Sequence, residues 1–284
     1  MTGLRDLKKR KKTTDLLHKF ARGMQILSSS KMSLRETDRE KLAVYTEELK
    51  RLVESALPHL SKEELEKSPL INPPSTYPRI IVIFFSDMGL CGSYNDDILA
   101  EAQKLQVKNE DYIFAVGAMG EEMLGRIGVK ADGKLGGMYS DPDISTVSSF
   151  FMDILAIKSR QITLVYFTSE AGRKGHATTE HLLPLSLEEG QHKEKIAFEF
   201  IPDPLEIINQ GAKMFVFASM LRAFYTAAFS EFNMRWITMS RAEKQAKEMS
   251  HKLQVQISRI RGESITRELL DTIGGIIGEE QNIR

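Results

Sequence analysis

No proline falls between Ile207 and Glu279, although nine are spread through the rest of the chain. Along that stretch a heptad stripe runs Met214, Ala218, Leu221, Tyr225, Ala228, Phe232, Arg235, Met239, Ala242, Ala246, Met249, Leu253, Gln256, Ile260. The steps alternate four and three, and only Arg235 and Gln256 are not apolar. A repeat averaging about 3.5 residues lays these side chains on one narrow face and winds the helix left-handed around a partner. At the helical rise an unbroken helix of this length runs roughly 100 Å, more than the width of any globular domain the remaining residues could build. The sequence therefore predicts a projecting helix that needs a partner along its stripe.

That partner lies at the other end of the chain. From Thr2 to about Leu57 there is again no proline, and Leu4, Leu7, Thr14, Leu17, Ala21 and Met24 follow heptad spacing. The stripe breaks at Ser28, Lys31, Arg35 and Asp38, then resumes at Leu42, Tyr45, Leu49 and Leu52. Two such helices bury each other's stripes as an antiparallel coiled coil, and alanines at 218, 228, 242 and 246 allow close approach. The first helix also carries a basic run, Lys8 to Lys12, followed by Lys19, Arg22 and Lys31. It reads as a solvated face or as a docking face for acidic loops. Nucleic acid is disfavoured, because no aromatic residues interleave with the charges.

Five prolines between Pro58 and Pro78 mark a linker. Beyond it the pattern alternates. Ile80 to Phe85 is a continuous β-branched and aromatic run, suited to a strand buried on both faces. Residues 94–106 read as helix, 112–116 as strand, 119–127 and 145–158 as helices, 162–167 as strand and 196–201 as a fourth strand. The expected class is therefore α/β: long N- and C-terminal helices forming an antiparallel coiled coil (1–57 and 207–284), a linker (58–78) and an inserted Rossmann-like α/β domain (79–206) with a largely parallel sheet.

Composition narrows the function. Lys and Arg together equal Asp and Glu at 39 each, which argues against general nucleic-acid binding. A single cysteine, Cys91, rules out an internal disulfide framework and suits a reducing compartment. No apolar run is long enough to span a membrane, and the N-terminus lacks the apolar core of a secretory signal, so direct membrane insertion is not expected.

Residue chemistry alone supports no active site. The turn Ser86 to Gly92 follows the first strand, where doubly wound domains bind nucleotides, but it has only Gly89 and Gly92 of a G-x-G-x-x-G fingerprint and no P-loop lysine. The segment Gly172-Arg173-Lys174-Gly175-His176 reads as a hairpin tip rather than a phosphate site. Cys91 has no assignable catalytic partner and reads as a half-buried thiol. The six histidines (18, 59, 176, 181, 192, 251) lack metal-site spacing, and Asp132, Asp141 and Asp143 read as solvated loop. No cofactor or metal is expected.

Three stretches carry a resemblance. Phe20-Ala21-Arg22-Gly23-Met24 leading to Ser29-Ser30-Lys31-Met32 is similar to T-K-A-M-x-M-V-A-A-S-K-M. Ser86-Asp87-Met88-Gly89-Leu90-Cys91-Gly92-Ser93-Tyr94-Asn95 is similar to S-D-x-G-L-C-G-x-x-N, with Asp87, Gly89, Leu90, Cys91, Gly92 and Asn95 as its matched positions. Ser230-Glu231, Arg235, Met239, Arg261, Ser264-Ile265-Thr266 and Glu268-Leu269 are similar to S-E…R-M…M followed by R-Q-x-x-I-T-x-E-L. Together they resemble the gamma subunit of F-type ATP synthases over essentially the whole chain. Gly262 stands where that family has glutamine, Gly23 where it has alanine, and the C-terminus lacks the family's Ala-rich ending.

The resemblance implies a rotor shaft rather than an enzyme. It implies coupling of ion flow through a turning membrane c-ring to ATP synthesis or hydrolysis at three beta subunits, with alpha, beta and epsilon subunits as partners. Lys19, Arg22, Met24, Lys31, Arg261, Thr266 and Glu268 would be the rotor-to-ring contacts, and the polar break from Ser28 to Asp38 a surface that slides. The expected location is peripheral, on the cytoplasmic face of a bacterial membrane, or the matrix side of an organelle inner membrane. A dimeric coiled-coil scaffold and a small α/β enzyme with a phosphate site at Gly89 to Gly92 are the alternatives.

Overall fold

A computed structural model describes residues 3–56, 59–60, 63, 71–108, 110–185 and 203–282, with side chains except at 204 and 274–282. The elements in chain order are α1 (Leu4–Ala56), β1 (Arg79–Phe84), α2 (Tyr94–Lys104), β2 (Tyr112–Val116), α3 (Gly120–Gly125), β3 (Gly133–Leu135), α4 (Ile144–Ala156), β4 (Gln161–Thr168), β5 (His176–Leu183) and α5 (Pro204–Asn282). Both expected long helices are present, of 53 and 79 residues, and Pro204 at the first position of α5 loses no hydrogen bond there. The chain forms two compact units, Leu27–Ile237 and Met1–Ile26 with Thr238–Arg284. Each long helix contributes to both.

In the larger unit the strands run β3-β2-β1-β4-β5, with β5 antiparallel and the rest parallel. Crossovers from β1 go to one edge through α2, and from β3 back to β4 through α4, so direction reverses between β1 and β4. Side chains alternate faces along a strand, so the unbroken apolar run of β1 serves two cores. Ile80, Val82 and Phe84 join Phe151 and Ile154 of α4 and Met220, Phe224 and Ala227 of α5. Ile81, Ile83 and Phe85 join Tyr94 and Ile98 of α2 and Met123 and Leu124 of α3. Between Ala223 and Arg235 every side chain of α5 is buried, as a helix packed on all sides requires.

Strand β5 and the three-residue β3 have no counterpart among the expected strands. Both are edge strands, and β5 carries polar residues (His176, Thr178, Thr179, Glu180 and His181) that mute its apolar signal. Its Glu180 accepts from Tyr166 at 2.8 Å and pairs with Arg222 of α5 at 2.5 Å. The expected hairpin tip, Gly172 to His176, lies between β4 and β5, with His176 already the first residue of β5. The expected strand at 196–201 lies outside the described residues.

In the smaller unit residues 4–26 of α1 lie antiparallel to the part of α5 from Thr238 to Ile260. Leu7 clusters with Leu253 and Ile257, Asp15 accepts from Ser250, and His18 meets Glu243 at 2.8 Å. The heptad phase differs from the expected one beyond Ala246. Met249 is 47% exposed and Gln256 is exposed, while Ser250 and Ile257 turn to the partner. Leu253 and Ile260 keep their expected places, and two successive steps of four, 242 to 246 to 250, make the seam run 246, 250, 253, 257, 260. On α1 the same correction applies at Leu17, which is exposed, with His18 facing inward.

The polar break is likewise corrected. Ser28 and Arg35 are buried within the larger unit, at 2% and 9% exposure, so they form no sliding surface. Arg35 lies over the Tyr225 ring and pairs with Asp38 at 3.2 Å, while Thr46, Val53 and Ala56 are buried in place of the expected Tyr45 and Leu52. Asp132, Asp141 and Asp143 are exposed, as a solvated loop requires, and two of them also make hydrogen bonds. Asp132 accepts the Ile113 N–H at 2.8 Å, and Asp143 caps α4 by accepting from Ser145.

Candidate functional site at the turn after β1

The segment from Ser86 to Asn95 leaves β1 at the carboxyl edge of the sheet and enters α2. Its one carboxylate, on Asp87, is a hub. Oδ1 accepts from Ala118 N at 2.9 Å and Gly137 N at 2.7 Å, and Oδ2 accepts from Tyr139 N at 2.7 Å. One carboxylate thus gathers the loops that follow β2 and β3 by satisfying three backbone donors. Gly117, beside it, has φ +98°, and a Cβ there would stand 2.2 Å from the Phe85 carbonyl oxygen. Asn95 closes the turn, accepting from Ser86 N at 2.9 Å and donating to Ser86 Oγ at 2.7 Å. Leu90 adopts a positive φ of 66° unusual for a branched residue, and Gly92 follows at 65°. Nothing surrounds Gly89 closely enough to require glycine there.

Helix α5 holds the turn from below. Glu231 accepts from Asp87 N at 2.8 Å and Met88 N at 3.2 Å, and Arg235, one helical turn on, pairs with Glu231 and donates to Met88 O at 2.9 Å and Gly89 O at 3.1 Å. Both side chains are almost fully buried, at 1% and 2% exposure. Burial pushes the Glu231 carboxyl up, with Arg235 and the Asp87 N–H pulling against it. Cys91 is buried rather than half-buried, and burial, then the charge of Glu231, raises its thiol. A thiol so placed is a poor nucleophile. Tyr94 donates to Ala227 O at 3.2 Å and stacks on Phe167. Glu231 and Asn233 were no part of the expected site. The signal that could have found them is the charged residue in an apolar stripe, Arg235, with an acid four residues before it.

The expected contact residues fall into separate groups. Lys19 and Arg22 are exposed and Met24 half-buried on residues 4–26 of α1. Arg261, Thr266 and Glu268 are exposed on the last part of α5, where Thr266 donates to Gly262 O at 3.0 Å and Glu268 accepts from Ser264 at 3.3 Å. His18 pairs with Glu243, so Arg22 stands near residue 240, roughly 30 Å along the axis from Arg261. Lys31 belongs to the other unit and donates to Ser140 O at 2.9 Å. Among the described residues no group of His, Cys, Asp and Glu could hold a metal ion, and no helix is long and apolar enough to cross a membrane.

A family model described as ATP synthase matches residues 3–277. The chain belongs to the ATP synthase gamma family. The ATP synthase gamma chain of Dictyoglomus thermophilum is 28% identical over the full length of both chains, and that of Halothermothrix orenii is 24% identical over 97% of this chain and 98% of its own. The fold is shared with a chain of the Euglena gracilis mitochondrial ATP synthase OSCP/F1/c-ring structure (TM-score 0.65, 12% identity, 99% and 96% covered). It is shared too with a chain of the Tetrahymena thermophila central stalk/c-ring structure (TM-score 0.59, 16% identity, 78% and 99% covered). The function is that of the gamma subunit, the rotor of the central stalk, and the dimeric scaffold is not favoured. Within such a rotor the motif turn is architectural: Asp87, Glu231 and Arg235 bind the loops of the sheet to the long helix.

Proposed function

We propose that this chain turns with a membrane c-ring and carries that rotation to the beta subunits without catalysing any step itself. One observation carries the reading. Helix α5 is continuous from Pro204 to Asn282, buried on every side where it meets the sheet and exposed from Arg261 to Ile273, where charged residues alternate with Ile265, Leu269, Leu270 and Ile273. A load applied to the sheet reaches such a helix through packed side chains, and an uninterrupted helix passes it along its length. The antiparallel pairing of residues 4–26 with 238–260 stiffens that path, because bending one helix would open the seam with the other.

The partners in this proposal are alpha, beta and epsilon subunits and the c-ring. Lys19, Arg22, Met24, Arg261, Thr266 and Glu268 would touch the ring through charge-assisted contacts that form and break with angle. Lys31 would join them only by giving up Ser140. The absence of catalysis is supported by the crevice at β1 and β4, which Glu231 and Arg235 fill. The proposed place is the cytoplasmic face of a bacterial membrane, peripheral to it. An affinity pull-down of the tagged chain from gently solubilised membranes tests the reading. One copy with three alpha and three beta subunits is the expected result. A homodimer without them, or ATP hydrolysis by the isolated chain, would overturn it.

A further inference from the structure

The strand order places a crevice at the carboxyl ends of β1 and β4, where connections depart in opposite senses. Open α/β sheets bind phosphate-bearing ligands at that point, because the turn after the first strand aims backbone N–H groups at the incoming anion. In this chain the same N–H groups are already engaged. Asp87 N donates to Glu231 Oε2 at 2.8 Å and Met88 N to Oε1 at 3.2 Å, so each oxygen of one carboxylate takes one backbone donor. The guanidinium of Arg235 closes the far side of the carboxylate and continues to the Met88 and Gly89 carbonyls. The Arg235 side chain is only 2% exposed, so its guanidinium depends on partners within the protein. Glu231 is the only carboxylate recorded in contact with it among the described residues.

We propose that the turn after β1 is an oxyanion-binding site whose resident ligand is the chain's own Glu231, and that removing this carboxylate leaves a seat for a small free carboxylate such as formate. The rotor thereby keeps the anion-binding geometry of a nucleotide fold and uses it as an internal fastening. The same occupancy denies the crevice to a nucleotide phosphate. It also explains why an ion pair sits in a fully buried stretch of α5: the anion is supplied by the helix that must be fastened.

The test compares wild type, Glu231→Ala and Glu231→Ala with Arg235→Ala, each as the full chain, by thermal unfolding while sodium formate replaces sodium chloride up to about 200 mM at constant ionic strength. Glu231→Ala is expected to gain about 4 °C or more, saturably, with no comparable gain in the wild type or the double variant. A gain equal in all three, or absent from Glu231→Ala, overturns the proposal. Should Glu231→Ala fold only when formate is present, that dependence supports it. Glu231→Gln supplies an independent arm. Its amide turns an N–H toward either a backbone donor or Arg235, so its midpoint is expected to fall by about 4 °C or more and to ignore formate, the seat being full. A Gln variant as stable as wild type would overturn the proposal.

Discussion

Asn233 accepts the Gly172 N–H at 2.8 Å, fastening the hairpin between β4 and β5 to the long helix rather than leaving its tip free. The two hydrogens of the same amide serve three acceptors, the Glu170 carbonyl at 2.9 Å, the Arg173 carbonyl at 2.8 Å and Ser169 Oγ at 3.0 Å, so one of them is shared. Glu231, Asn233 and Arg235 stand within two turns of α5, so one short stretch of helix grips two loops of the sheet.

Asparagine suits this joint because it both donates and accepts. Asn233→Ala is expected to cost about 2 kcal/mol in urea denaturation, since buried carbonyls lose their partner. Asn233→Asp is expected to cost more, about 3 kcal/mol, because a carboxylate there faces two carbonyl oxygens with no hydrogen to offer. An Asp variant as stable as wild type would contradict the assigned geometry.

Arg39 lies with its guanidinium 4.1 Å from the Phe229 ring centroid and donates to Ser169 O at 3.1 Å. The planar group performs both tasks at once, which an ammonium cannot. Arg39→Lys is expected to lose most of what Arg39→Ala loses, about 1–2 kcal/mol, in the same denaturation assay. Full retention by lysine would show that only the charge matters.

Arg79 holds Asp111 through two bonds, Nε to Oδ1 at 2.9 Å and Nη2 to Oδ2 at 2.5 Å. Burial by itself would raise the Asp111 carboxyl, but Arg79 and the Lys108 N–H outweigh it and hold the group below the ordinary carboxylate range. A depressed folded value means the contribution is full above about pH 4 and is lost as pH falls through the folded value. Stability measured from pH 7 to pH 2 is expected to decline less steeply below about pH 4 in Asp111→Asn than in wild type, from a lower starting point. Parallel acid limbs would remove Asp111 from the account.

Cys91 is 3% exposed and its thiol is raised, first by burial and then by the Glu231 charge. Reaction with a thiol reagent at pH 8 is expected to be at least about ten times slower in the folded chain than in denaturant, and faster when Glu231→Ala loosens the turn. Rapid labelling of the native chain would show that the turn opens readily.

Local sequence pattern determined the two long helices and the alternation of β1, α2, β2, α4 and β4, because these depend on the spacing and type of apolar residues along a local stretch. Heptads alone fix neither the number nor the direction of paired helices, and the antiparallel arrangement is decided by the contacts of Leu7, Asp15 and His18. The motif from Ser86 to Asn95 was legible as a family mark, but its purpose was not. Asp87 meets partners 31 to 52 residues away and Glu231 reaches back 144 residues, distances at which sequence spacing carries no geometry. Tertiary packing decided the rest. It chose Ser250 and Ile257 over Met249 and Gln256 for the seam, because the stripe follows the partner helix rather than a strict heptad. It also turned Ser28 and Arg35 inward, since Tyr225 and Asp38 give Arg35 the partners that make burial tolerable.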